Sequence, residues 1–170
     1  AIAIEGPDIY VGGYFTNLCG NAYADHIARW DGNAWNALGG GLNSDVTTIA
    51  VSGPNVYAGG YFTNAGDDPN ADHIARWDGS GWNALGSGLN NDVYAIAVVG
   101  PDVYAGGFFT DAGSTNGDHI ARWNGSSWNA LGGGLNDVVT AIAVAGPHIY
   151  VGGNFTDAGT ANVDRIVRWD

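Results

Sequence analysis

Apolar positions along the chain fall into short runs of two kinds. The unbroken runs AIAI at 1–4, TIAV ending at Val51, AIAV ending at Val98 and AIAV ending at Val144 have no polar face, as expected of a strand buried between neighbours. The other runs mix apolar residues with paired glycines or with a single Arg, as in IYVGG and HIARW. Turn chemistry separates them. Gly-Pro-Asp or Gly-Pro-Asn follows the first type of run, with Pro7, Pro54 and Pro101 fixing φ for a tight reversal. His148 stands in place of the Asp or Asn in the last copy. No stretch has helical periodicity, and the pattern predicts strands throughout.

The runs recur. YVGGYFT at 10–16 returns as YAGGYFT at 57–63, YAGGFFT at 104–110 and YVGGNFT at 150–156, with spacings of 47, 47 and 46 residues. IARW begins at 27, 74 and 120 and reappears as IVRW at 166, whereas WNALG occurs only at 35, 82 and 128. The array divides into units 1–47, 48–94, 95–140 and an incomplete 141–170. Each unit reads as four strands: A (AIAV), B (VYAGG), C (HIARW) and D (WNALG). A two-residue Asp-Gly or Asn-Gly hairpin is expected between C and D.

A four-stranded antiparallel sheet this small cannot bury both of its faces alone. Radial stacking of such sheets solves that problem, and a period of 40–50 residues with aromatic and Gly signatures points to propeller blades. The expected fold is therefore all-β: a β-propeller of four-stranded antiparallel blades, about four per chain, the last lacking its outer strand. A stacked β-solenoid is the rival architecture.

The Gly pairs (Gly12/Gly13, Gly59/Gly60, Gly106/Gly107, Gly152/Gly153) followed by spaced aromatics (Trp30 and Trp35, Trp77 and Trp82, Trp123 and Trp128) resemble the Kelch repeat. Trp169 is the first of a fourth pair. The match is closest to the GG-x-FT, IARWDG and WxxLG tandem arrays of secreted bacterial proteins, although Trp stands where Kelch repeats usually have Tyr. This resemblance implies a propeller and a secreted or cell-surface setting. It implies no particular activity, because the fold hosts many functions.

Charge narrows the partners. The 170 residues carry 17 acids, 5 bases and no Lys, for a net charge of -12. Such a field repels phosphate backbones and anionic lipid surfaces, so nucleic acid and membrane insertion are not expected. The chain begins with Ala and has no leader pattern, so it is expected to be processed, excised from a longer array, or incomplete. Cys19 is the single cysteine, and compartment cannot be read from it.

The repeat also supplies an internal control: a residue found in every copy is expected to do the same structural job in each. Arg29, Arg76, Arg122 and Arg168 each precede the first Trp of strand C (Trp30, Trp77, Trp123 and Trp169). They are expected to stack on an aromatic and to pair with Asp25, Asp72, Asp118 and Asp164. His26, His73 and His119 give way to Arg165 in the last copy, which favours hydrogen bonding at the blade edge over metal ligation. The tryptophans are expected in the packing between blades.

Residues that vary between copies are the candidates for binding. Tyr23 and Tyr94 have non-aromatic counterparts in the other units and are expected to be exposed. The B–C loops, 17–24, 64–71, 111–117 and 157–163, differ most; they supply Asp67, Asp68 and Asn116 as further ligand or partner candidates. Asp67 and Asp68 are the calcium candidates, although calcium requires six to eight oxygens and no loop has EF-hand spacing. No catalytic motif is present, and no catalytic residue or other cofactor is expected. Two functions fit: a non-enzymatic, self-assembling structural unit (a homo-oligomer or part of a longer array), or a lectin-like or protein-binding module using the B–C loop face.

Overall fold

The computed structural model describes residues 1–112, 118–158, 161–162 and 165–169. The chain forms two compact units, Ala1–Gly88 and Leu89–Asp170. In the first unit, β1 (Ile2–Glu5), β2 (Asp8–Gly12), β3 (Ile27–Trp30) and β4 (Trp35–Ala37) form one antiparallel sheet in chain order. A second sheet repeats the arrangement with β5 (Val46–Ser52), β6 (Asn55–Gly60), β7 (Ile74–Trp77) and β8 (Trp82–Ala84). These are strands A to D of the repeat, resolved as separate meanders and not as solenoid coils.

The second unit contains β9 (Val93–Val99), β10 (Asp102–Gly107), β11 (Ile120–Trp123) and β12 (Trp128–Ala130) as a four-stranded sheet. Its other main sheet has three strands, β13 (Val139–Ala145), β14 (His148–Gly153) and β17 (Ile166–Trp169). A short ladder of β15 (Asp157–Ala158) with β16 (Ala161–Asn162) lies in the B–C loop.

Pairing within each sheet follows one register. Tyr10 faces Arg29, Tyr57 faces Arg76, Tyr104 faces Arg122 and Tyr150 faces Arg168 across strands B and C. Trp30 faces Trp35, Trp77 faces Trp82 and Trp123 faces Trp128 across C and D. The C–D connection differs from the expected Asp-Gly tip. The amide of Asp31 donates to the carbonyl of Ala34 at 3.2 Å, so Gly32 and Asn33 form the tip and Asp31 flanks it. Asp31 Oδ1 instead accepts from the amides of Asn33 and Ala34 at 2.9 and 2.8 Å. A short side chain that can bond its own turn favours this position.

The two glycines of each pair have separate steric reasons. A β-carbon on Gly12 would lie 2.5 Å from Val46 Cγ1 and 3.0 Å from Ile49 Cδ1, side chains of the adjoining sheet. Gly106 meets Val139 and Ile142 in the same way in the second unit. The second glycine of the pair, Gly60, Gly107 or Gly153, instead lies against the backbone carbonyl of Asp45, Asp92 or Val138 in its own sheet. There the chain enters strand A through a register shift.

The core of the first unit includes Tyr10, Ile27, Leu38, Val46, Phe62 and Trp82, with Ile49 and Trp77 packed against it. That of the second unit includes Ile120, Leu131, Val139, Ile149, Val151 and Phe155, with Tyr104, Ile142 and Trp169 alongside. Phe62, Phe109 and Phe155, from the FT motif, are completely buried. The expectation that strand A is buried on both faces fails in β1, where Ile2 is 72% and Ile4 68% exposed, and in β13, where all residues but Val139 and Ile142 are exposed. The counterparts of Ile2 and Ile4 in β5, Ile49 and Val51, pack into the core of the first unit. The same apolar composition is thus packed into the core in β5 and largely exposed in β1 and β13, so composition alone does not bury strand A.

Candidate functional site

Three clefts stand out among the described residues, on two different rims of the sheets. In the first unit, a cleft of about 450 Å³ is lined by Asp25, residues 40–43 and residues 64–67. It brings the B–C loops together with the Gly-rich connection from strand D to strand A. The loops are fastened by short bonds: Asp25 Oδ1 accepts from the Asn17 amide at 2.7 Å, and Asp72 Oδ1 from the Asn64 amide at 2.8 Å. The Leu42 amide donates to the Asp25 carbonyl at 3.0 Å. Asn43 clamps Thr63 by donating from Nδ2 to Oγ1 at 3.1 Å and accepting from the Thr63 amide at 2.9 Å. Asn90 with Thr110 and Asn136 with Thr156 repeat the clamp in the second unit. It explains why an Asn of the GLN motif recurs 20 residues before the Thr of the FT motif.

The candidate ligand residues separate. Tyr23 is 66% exposed on the first B–C loop. Asp67 lines the polar cleft. Asp68 holds the amide of Asn70 at 2.9 Å as a turn acceptor. Among the described residues, no three His, Cys, Asp or Glu side chains gather as a metal-ligand set. Tyr94 does not stand free as expected: it is half-buried in β9 and its hydroxyl donates to Asp92 Oδ2 at 3.3 Å. A tyrosine on strand A has its ring held by the sheet, which sets it apart from Tyr23 on its loop. Asn116 lies outside the described residues.

The recurrent Arg side chains line the other rim. Arg29 Nε lies 3.8 Å from Asp8 Oδ1 and Arg122 Nε 3.6 Å from Asp102 Oδ1. Those carboxylates belong to the first residue of strand B, on the strand that pairs with the Arg strand. Asp25 and Asp72, the partners expected from sequence, are committed to loop amides instead. At these distances the pairs attract by charge but are too long for hydrogen bonds, and the covered Nε atoms of Arg29, Arg76 and Arg122 have no hydrogen-bond partner. Burial pushes the Tyr10 hydroxyl above its ordinary pKa, with the negative charge of Asp8 adding to it and Arg29 opposing. His26, His73 and His119 adopt positive φ, as Arg165 does. Their Nδ1 atoms lie 3.2 Å from the carbonyls of Gly13, Gly60 and Gly107. The shared feature is a backbone conformation, so Arg can replace His there.

The Arg side chains border two equivalent clefts between adjoining sheets. One, of about 220 Å³, is lined by Tyr10, Arg29, Asn36, Leu38, Pro54 and Trp77 in the first unit. The other, of about 340 Å³, is lined by Tyr104, Arg122, Asn129, Leu131, Pro147 and Trp169 in the second. Trp77 pairs with Trp82 at 5.7 Å between ring centroids, tilted 58°. The Trp82 indole then reaches across the seam, its Nε1 donating to the Leu38 carbonyl at 3.1 Å. Trp82 and Trp128 are buried, and Trp77 and Trp169 pack against the described core clusters.

Comparison with solved structures gives the fold. The chain superposes on the computationally designed Ika4 protein with a TM-score of 0.60 and 15% identity, covering 99% of this chain and 88% of that one. It also matches the computationally designed Ika8 protein with a TM-score of 0.57 and 18% identity, covering 90% of this chain but only 42% of the other. The sheets are propeller blades. At this level of identity the likeness extends to the fold alone. No family model matches the chain, and no curated protein does either.

Proposed function

We propose that the chain is a non-enzymatic, extracellular repeat propeller that acts as a self-assembling structural unit or as part of a larger propeller. The observation carrying this reading is a blade-to-blade joint of which blade 1 shows one half uncovered and blade 4 the other. Within each unit, Ile49 or Ile142 of one blade fills the space above Gly12 or Gly106 of the other. Blade 1 presents the same isoleucine, Ile2, to solvent. Blade 4 presents the matching glycine, Gly152, with nothing closer to a β-carbon than 3.6 Å. A head-to-tail contact of this kind is heterologous and builds rings or open filaments. The acidic surface and the GG-x-FT repeats support the extracellular setting. Light scattering with electron microscopy tests the reading: assemblies of several chains in rings or fibres are expected, and a stable monomer of 17.5 kDa would refute it.

A second reading, a lectin-like or protein-binding module, is favoured by the polar cleft beneath Asn64 and Asp67. A glycan array checks it. Saturable sugar binding that is lost on replacing Tyr23 or residues 64–67 supports this reading, and an array without signal counts against it.

A further inference from the structure

The three C–D turns share one plan and differ at one atom. In blade 1, Asp31 Oδ1 accepts from the Asn33 and Ala34 amides, and Oδ2 accepts from Asn36 Nδ2 at 2.8 Å. In blade 2, Asp78 Oδ1 accepts from the Ser80 and Gly81 amides, and Oδ2 accepts from Asn83 Nδ2 at 3.0 Å. Blade 3 has Asn124 in this place. Its Oδ1 accepts from the Ser126 and Ser127 amides at 3.0 and 2.9 Å. The remaining side-chain atom is therefore Nδ2, a donor, where the other turns have a carboxylate oxygen. Asn129 holds the register position of Asn36 and Asn83. Its Nδ2 donates to the Ser127 carbonyl at 3.0 Å, and Asn124 offers it no second acceptor.

The same turn is arranged for loss of that nitrogen. Asn124 is exposed and is followed by Gly125, whose amide is tied by no hydrogen bond among the described residues. Gly125 has φ of 95° and open space where a β-carbon would stand, so its nitrogen can be approached freely. The Ser126 hydroxyl adds a third donor to Asn124 Oδ1, at 2.9 Å. These donors surround the oxygen on which negative charge develops when a nucleophile adds to the side-chain carbonyl.

We propose that Asn124 is a site of spontaneous deamidation, and that the aspartate formed is the fully hydrogen-bonded form of the turn. The Gly125 nitrogen bonds to Asn124 Cγ, and the Cγ–Nδ2 bond breaks. Nδ2 leaves as ammonia, carrying the proton given up by the Gly125 amide, and a cyclic imide remains. Water then opens the ring. Addition at Cγ gives aspartate, addition at the main-chain carbonyl gives isoaspartate, and the net change is one water taken up and one ammonia released. The aspartate keeps the backbone of the turn and supplies the oxygen that Asn129 Nδ2 lacks. The Asp31 and Asp78 carboxyls, held below the usual range by their turn amides and by Asn36 and Asn83, show that this position favours a carboxylate. The site involves no residue of the joint between blades.

The test uses the Asn116→Gln protein, because Asn116-Gly117 is the other Asn-Gly pair of the sequence. After incubation at mildly alkaline pH, peptide mapping by mass spectrometry should find residue 124 one mass unit heavier, with aspartate exceeding isoaspartate. A free peptide of residues 120–130 reports the same chemistry without the fold, and isoaspartate should predominate in it. No conversion of the protein in the time that the peptide converts overturns the proposal, as does the peptide's own product ratio in the protein. Asn124→Asp, made directly, should raise the urea midpoint at neutral pH and shift the Asn129 side-chain amide resonances. In an Asn129→Ala background that rise should vanish. A midpoint unchanged or lowered by Asn124→Asp overturns the claim that aspartate completes the turn.

Discussion

Each unit contains one seam between two blades, and the pair of seams forms a natural experiment. In the first, Trp82 is a member of the core and ties strand D of its own sheet to the Leu38 carbonyl of the other. In the second, the cluster around Val139 is assembled from the same types of Ile, Leu, Val and Phe with no strand-D tryptophan among its described members, although Trp128 of β12 is itself buried. What survives without that tryptophan is informative. Gly106 still receives Val139 and Ile142, and the Asn136–Thr156 clamp still forms. The inner joint of a blade therefore forms without the outer one.

The largest expected effect breaks the filled seam. Trp82→Ala should cost about 3–5 kcal/mol in urea unfolding, because a buried indole and its hydrogen bond are lost together. Trp169→Ala, at a half-buried position on the open seam, should cost less than half of that. Equal losses would mean that the two seams do not differ as described. Next comes the inner joint. Gly12→Val or Gly106→Val forces a side chain into Val46 or Val139 and should destabilise by about 1–3 kcal/mol. Gly152→Val places its β-carbon at ordinary contact distance, 3.6 Å from the Arg165 carbonyl, and should change stability by no more than about 0.5 kcal/mol in the isolated chain.

The smallest effect concerns the C–D turns. The Asp78 carboxyl is held well below the usual carboxylate range by the Ser80 hydroxyl, the Ser80 and Gly81 amides and Asn83. Asp31 is lowered by the amides of Ala34 and Asn33 and by Asn36. A carboxyl depressed in the folded state stabilises fully above its unfolded value, 3.8, and loses that contribution as the pH falls below it. Asn124 fills the same role in the second unit without titrating, its Oδ1 accepting from the Ser126 and Ser127 amides. Acid titration followed by backbone NMR should therefore loosen the turns at Asp31 and Asp78 below pH 3.8 while the turn at Asn124 holds. Asp78→Asn should remove the acid response of its own turn and little else.

Repetition made most of the strand plan readable in advance. Tyr, Gly-Gly, Arg and Trp at fixed offsets placed strands B and C, and the paired tryptophans placed D. Recurrence placed the Arg side chains at one register position, opposite Tyr10, Tyr57, Tyr104 and Tyr150. It did not identify their partners: Asp8 and Asp102 face the guanidinium from the start of the paired strand B, while the nearer Asp25 and Asp72 are taken by loop amides. Spacing along the chain carries no information about which oxygen a folded loop will need. The FT motif was visible as a motif, but its roles in the Asn–Thr clamp and the buried Phe required coordinates. Tyr94 was misjudged because the absence of an aromatic in other copies says nothing about exposure. Strand A is largely exposed in β1 and β13 because an apolar run does not by itself bury a strand.

Head-to-tail assembly requires that blade 1 of one copy meet blade 4 of another. A disulfide trap asks this most directly. Ile2→Cys and Gly152→Cys are prepared as separate proteins, each with Cys19→Ser, and are oxidised alone and then as a mixture. Crosslinked species at twice 17.5 kDa should appear in the mixture and be scarce when either variant is oxidised by itself. Monomer in every lane, or equal crosslinking with and without mixing, would contradict a head-to-tail joint between chains.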